Sequence, residues 1–271
     1  MLLILAVALL PACHFTIRAA PTCTCEQPGI VQLSASGTAN QPRWLRWSND
    51  DEAVHPALVP ATQTAAISQF DLTGSHRIID GLVVRDAIYQ PRVMGSRNTL
   101  RRMVFAKPRA WEGMAIVAKG PADKPESYIE HNLVWGFRKT DPLCAGPGTP
   151  GVVFDFGSQA GSPPRPMLAR DFTVRNNVLI GWVPHAIYLG RKVEDLKISG
   201  NYVANADLAI SNSYGRRITI RDNVFVGNGT DYQTGPDARE TDYAGNRRAG
   251  LAEKCLTLRH ITAPRTLCNA V

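Results

Sequence analysis

Apolar and polar positions alternate along this chain in short runs, and the runs recur. Within ITIRDNVFV, Ile218 and Ile220 alternate with Thr219 and Arg221 ahead of Asn223, and a second β-rich run follows at once. Period-two alternation predicts half-buried strands, here two that meet at a bend. The pattern is written four times: EHNLVWGF from Glu130, RNNVLIGW from Arg175, SGNYVANA from Ser199 and RDNVFVGN from Arg221. The apolar residue three places before each asparagine serves as a register mark, at Ile129, Val174, Ile198 and Ile220, with weaker versions at Ile78 and Leu100. These marks imply a basal unit of about 22 residues, with insertions of roughly 7 and 23 in two of the units.

Each unit carries a third β-rich piece: MAIVAKG from Met114, GVVFDFG from Gly151, HAIYLG from His185 and DLAISN from Asp207. Three short strands per unit predict one turn of a parallel β-helix, with strands stacked at about 4.8 Å from coil to coil. The leucine and asparagine spacing of leucine-rich repeats is absent. Asparagine suits the bend because it tolerates the left-handed backbone conformation, and its amide can bond the equivalent amide of the next coil. Asn132, Asn177, Asn201 and Asn223 are therefore expected to form one column, with Gly81 meeting the same backbone demand in the first unit and Met103 the weakest match.

The units from Ile78 to Asn228 resemble the right-handed parallel β-helix proteins of the pectate-lyase-like superfamily, nearest to secreted polysaccharide lyases of the alginate and chondroitin lyase type. SGTANQPRWLRW, from Ser36, resembles the entry segment of that fold, SHRIIDGLVVRD, from Ser75, its first full coil, and ETDYAGNRRAG, from Glu240, a tail motif that follows such helices. The expected architecture is all-β: a single-stranded right-handed parallel β-helix over residues 26–230 with an N-terminal cap, and a C-terminal cap over 231–271. Capping is needed because unpaired strand edges at the ends of a stack invite aggregation. The same coil serves lyases, hydrolases, epimerases and inert shafts, so the resemblance bears on fold more than on activity.

The N-terminus, MLLILAVALLPAC, is apolar from Leu2 to Leu10. That run is too short to span a bilayer and fits the h-region of a signal peptide over residues 1–20. Leu10-Pro11-Ala12-Cys13 also resembles a poor lipobox, which would make Cys13 a lipid anchor. The chain is expected to be secreted, periplasmic or anchored to the outer membrane of a bacterium, and monomeric. Six cysteines, at 13, 23, 25, 144, 255 and 268, suit an oxidising compartment. Cys255 and Cys268 could close a short C-terminal loop and Cys23 or Cys25 could reach Cys144, but connectivity cannot be read from sequence.

Charge changes the picture in one respect. The net charge is +7, and 23 of the 30 basic residues are arginine, whose planar fork suits carboxylate or phosphate. Arg101, Arg102, Arg175 and Arg221 recur near the bends, as a ladder that would hold a polyanion. No phosphate-binding glycine loop, nucleophile elbow or nucleic-acid-binding module is present. The expected partner is an acidic polysaccharide.

Chemistry is expected on the outward positions of the third strands. His185, Tyr188 and Arg191 in HAIYLGR form the densest cluster, with Lys119 after MAIVA, Asp155 in VVFDFG and Ser211 in AISNS beside it. A lyase needs a base for the proton beside a uronate carboxylate, an acid for the leaving oxygen, and positive charge for the enolate-like intermediate. Tyr188, His185 and Lys119 are the candidate catalytic residues; Arg191, Asp155 and Ser211 are the candidate substrate contacts. Each also has a bland role as a loop or stacking residue. Asp155 and Asp207 make a thin hydrolase pair. No cofactor is assigned: calcium could bind uronate in a lyase, yet no dense Asp or Glu cluster supplies its ligands. The preferred activity is β-elimination of a uronate polymer. The alternative is a non-catalytic adhesion or glycan-binding β-helix.

Overall fold

The computed structural model describes residues 31–46, 70–81, 83–85, 92–106, 114–116, 126–137, 152–156, 159–160, 165–166, 169–190, 193–249, 255–258 and 265–268. Among these residues all regular structure is strand. Parallel strands stack into a β-solenoid of about five turns, as a 13-stranded and a 10-stranded sheet. Each coil contributes a strand to the 10-stranded sheet, turns a corner, and then contributes two segments to the larger sheet. In two coils those segments fuse into the long strands Val178–Leu189 and Tyr202–Asn212.

The alternation read from the sequence is the reason. In Ser127–Glu130 every second side chain is buried, and in Arg216–Arg221 Ile218 and Ile220 are buried on either side of the partly exposed Thr219. Ile79, Leu100, Ile129, Val174, Ile198 and Ile220 follow one another in register, each at most 1% exposed. Removing that column, with the rest of the apolar core, from water drives the stacking. The first register mark falls one residue late: Ile79, not Ile78, pairs with Leu100, while Ile78 pairs with Thr99.

The corner after this sheet divides two tasks that the sequence pattern assigns to asparagine alone. The positive φ belongs to the preceding residue: Gly81 (74°), Arg102 (52°), His131 (56°), Asn176 (55°), Gly200 (63°), Asp222 (57°) and Gly245 (67°). The asparagine that follows turns inward and builds a buried ladder. Asn132 donates from its backbone N–H and its Nδ2 to Asn177 Oδ1 at 3.0 and 2.9 Å. Asn177 does the same to Asn201 at 3.0 and 2.9 Å, Asn201 to Asn223 at 2.9 and 3.0 Å, and Asn223 to Asn246 at 3.0 and 2.9 Å. Each Nδ2 also reaches a carbonyl below, as from Asn177 to Ile129 O at 2.9 Å. The partners are 45, 24, 22 and 23 residues apart, so the column survives a large insertion between two of its members. Met103 occupies the asparagine position, fully buried, and its N–H donates to Asn132 Oδ1 at 3.0 Å. Gly200 is fixed twice over, by its φ and because a Cβ there would meet Asn176 Oδ1 at 2.6 Å.

Parallel pairing continues past residue 230 through Thr230–Thr234, Arg239–Ala244 and Arg247–Ala249. In this last coil Tyr243 takes the register position of Ile220 and stacks on Tyr232 at 4.8 Å, yet remains 42% exposed. Val31–Leu33 and Arg43–Arg46 open the stack at the other end. The signal segment 1–20 and Cys13, Cys23, Cys25 and Cys144 lie outside the described residues. Cys255 and Cys268 stand opposite each other in an antiparallel pair, described as backbone only.

Candidate functional site

The third strands present one outward column along the larger sheet. Phe154, Phe156, Ile187, Leu189, Ile210 and Asn212 are fully buried, so the positions between them face away from the core. Register puts Asp155 opposite Tyr188, Tyr188 opposite Ser211 and Ser211 opposite Gln233. Three candidates chosen from separate repeats therefore occupy neighbouring rungs of one ladder. Asp155 is placed by its backbone register alone. Ser211 is only 6% exposed, which leaves its hydroxyl little reach toward a ligand. Lys119 and Arg191 lie outside the described residues, as do most of the inserted residues 138–168.

His185 lies three residues before Tyr188, on a separate row of the same strand, opposite Val152 and Leu208 of the flanking coils. Its ring is 5.5 Å from that of Tyr188, tilted by 51°. Both side chains are partly buried. The buried His185 Nδ1 has no hydrogen-bond partner among the described residues. Burial lowers the imidazole pKa from its ordinary 6.5, and the neighbouring Asp207 carboxylate opposes that shift without cancelling it. The result is an imidazole held neutral over a wider pH range.

The sign of this shift gives a stability prediction. Unfolded His185 binds a proton more readily than folded His185, so its contribution is present above the ordinary value of 6.5 and is lost as pH falls through the lower folded value. Melting temperature should fall less on acidification in His185→Gln than in the parent. Equal acid sensitivity of the two proteins would show that the group is not depressed.

Two described groups on the same face lack an obvious mark in the sequence. Arg92 precedes the Ala115 rung and forks onto Asp71, with Nε to Oδ1 at 2.8 Å and a second nitrogen to Oδ2 at 2.6 Å. Counting one basal unit back from Met114 would find it. Asp207, considered above only for a hydrolase, is the carboxylate whose charge reaches His185.

Arg101, Arg175 and Arg221 share one register column and Arg102 stands at the corner beside it, but the column is not a bare strip of positive charge. Asp80, Arg101, Glu130 and Arg175 follow in register on the 10-stranded sheet. Asp80, 2% exposed, receives Arg101 at 3.0 Å and also Arg102. Arg175 pairs with Glu130 at 2.7 Å and lies over the Tyr128 ring at 5.5 Å; Arg221 pairs with Asp242 at 2.5 Å. Carboxylates on the rungs neutralise the arginines, which weakens their pull on a polyanion. Among the described residues no group of three or more His, Cys, Asp or Glu is placed to hold a metal ion.

No protein-family model matches the chain. Over 167 residues, 57% of its length, the chain is 25% identical to a glutamyl-tRNA(Gln) amidotransferase subunit of Nitrosospira multiformis, and it spans 33% of that protein.

Proposed function

We propose that the chain acts on an acidic, uronate-containing polysaccharide by β-elimination, with His185 and Tyr188 as the proton-transfer pair. The observation that carries this reading is the partly buried, neutral-biased imidazole of His185 standing 5.5 Å from the ring of Tyr188, which is itself on the outward column. In the reaction, His185 accepts the proton on the carbon beside the uronate carboxylate. The electron pair left behind forms the new carbon–carbon double bond as the glycosidic C–O bond breaks, and the Tyr188 hydroxyl protonates the departing oxygen. Positive charge for the enolate-like intermediate is assigned to Arg191 and Lys119, which adjoin this face in sequence. The resemblance of the coils to secreted polysaccharide lyases supports the same reading, as does the export signal expected at residues 1–20. Amide transfer, the activity in the amidotransferase's name, would need an accessible nucleophile with an adjoining base. Ser211, the serine of this column, is 6% exposed and fits that role poorly.

Elimination leaves an unsaturated uronate that absorbs in the ultraviolet. Mixing the purified protein with alginate, pectate, chondroitin and heparin-like polymers should raise that absorbance with at least one of them. No rise with any of the four would withdraw the catalytic reading in favour of a non-catalytic glycan-binding β-helix.

A further inference from the structure

The geometry points to a second carbohydrate site, on the 10-stranded sheet, that takes neutral saccharide units through their hydroxyls. It stands apart from the His185–Tyr188 pair and does not depend on the lyase reading. Register sets Thr173, Lys197 and Thr219 side by side on three adjacent coils. Their chain neighbours Phe172, Val174, Leu196, Ile198, Ile218 and Ile220 are buried at 1% exposure or less, so the row faces outward. Rungs about 4.8 Å apart thus present the Lys197 ammonium beside the Thr219 hydroxyl, while Thr173, 8% exposed, lies at the floor of the row. Lys197 is exposed and has no ion-pair partner among the described residues.

A depression of about 720 Å³ opens over this row, within the size range of small-molecule sites. One edge is a fixed charge lattice. Arg217 reaches Asp195 at 2.6 Å and Glu194 at 2.9 Å, and Arg170 reaches Glu194 and, at 3.5 Å, Asp195. Asp171, next to Arg170, and Glu126, on the preceding coil, continue the lining.

The lining therefore balances three cations, Arg170, Lys197 and Arg217, against three carboxylates, Glu126, Asp171 and Asp195. Glu194 in the edge lattice adds a fourth carboxylate, so the surface offers no excess of positive charge to select a polyanion, and a uronate or phosphate would meet the carboxylates. It displays groups that only donate beside groups that only accept. The ligand that satisfies both at once carries many groups able to donate and accept together, which is the chemistry of a sugar ring. The Thr219 hydroxyl, itself both donor and acceptor, completes the match.

Titration calorimetry of the purified full chain against cellohexaose, mannohexaose, xylohexaose and trigalacturonate tests this site without reading turnover. At least one neutral hexaose should bind, with an affinity that changes less than about twofold between roughly 50 and 500 mM salt, because the ligand carries no charge to be screened. Lys197→Met and Thr219→Val should each weaken it by about tenfold, the worth of one hydrogen bond involving a charged or buried group. Both positions lie outside the core, so the melting curve checks that the fold is intact. Tyr188→Phe should leave this binding unchanged even if it removes elimination, which separates the two sites. The inference is overturned if no neutral hexaose binds, if Lys197→Met binds as tightly as the parent, or if trigalacturonate alone binds and is released by salt.

Discussion

Tyr188→Phe is expected to slow β-elimination by about 100-fold to 10,000-fold while leaving polymer affinity nearly intact, because a well-placed general acid or base contributes about that much to rate. The substitution removes the hydroxyl and keeps the ring. Any packing of Tyr188 on His185 at 5.5 Å therefore survives, and so does its rung between Asp155 and Ser211. A stacking residue would give the opposite outcome, with affinity changed and turnover kept. The comparison requires kcat and KM separately on the polymer that the parent cleaves. Full activity in Tyr188→Phe would move the proton donor elsewhere on the face.

The largest expected loss of stability comes from Asn177→Val. Asn177 Oδ1 accepts two N–H groups of Asn132, and its Nδ2 donates to Ile129 O and Asn201 Oδ1. All of these groups are buried. Valine leaves both Asn132 donors without an acceptor, at about 1–3 kcal/mol each, so a loss of about 2–6 kcal/mol is expected in denaturant unfolding. The adjacent Asn176 provides the contrast. It carries the positive φ, at 55°, and is exposed, so Asn176→Gly should be close to neutral whereas Asn176→Val should be strained. A small effect of Asn177→Val would mean that the ladder adds little to the stack.

The fold was legible because a solenoid repeats its instructions. Each coil must bury an apolar residue at the same register, and Ile129, Val174, Ile198 and Ile220 announce that register in the sequence. The division of labour at the corner was not read out, although the signal was present. His131-Asn132, Asn176-Asn177, Gly200-Asn201, Asp222-Asn223 and Gly245-Asn246 each place a residue type that tolerates the left-handed region ahead of the ladder asparagine. Arg102 shows why type alone does not decide: it adopts the same φ, held by its ion pair with the buried Asp80.

The candidate site was legible only in part. Outward alternation identified Tyr188 and Ser211, but periodicity says nothing of how deeply an outward residue is covered, and Ser211 proved nearly buried. The arginine ladder was counted by one sign of charge. Its carboxylates stand on other rungs, as Asp80 does for Arg101 and Asp242 for Arg221, and they become partners only once the coils are stacked. The depression over Lys197 had no sequence signal, because Thr173, Lys197 and Thr219 read separately as ordinary outward residues of three strands.

If His185 acts as a neutral base beside Tyr188, the pH dependence of kcat/KM on the cleaved polymer shows it most directly. The prediction is a rate that falls on acidification with a midpoint below the ordinary histidine value of 6.5, and a loss of that limb in His185→Gln. An acidic limb that stays in place in His185→Gln, or a parent midpoint above 6.5, would contradict the assignment.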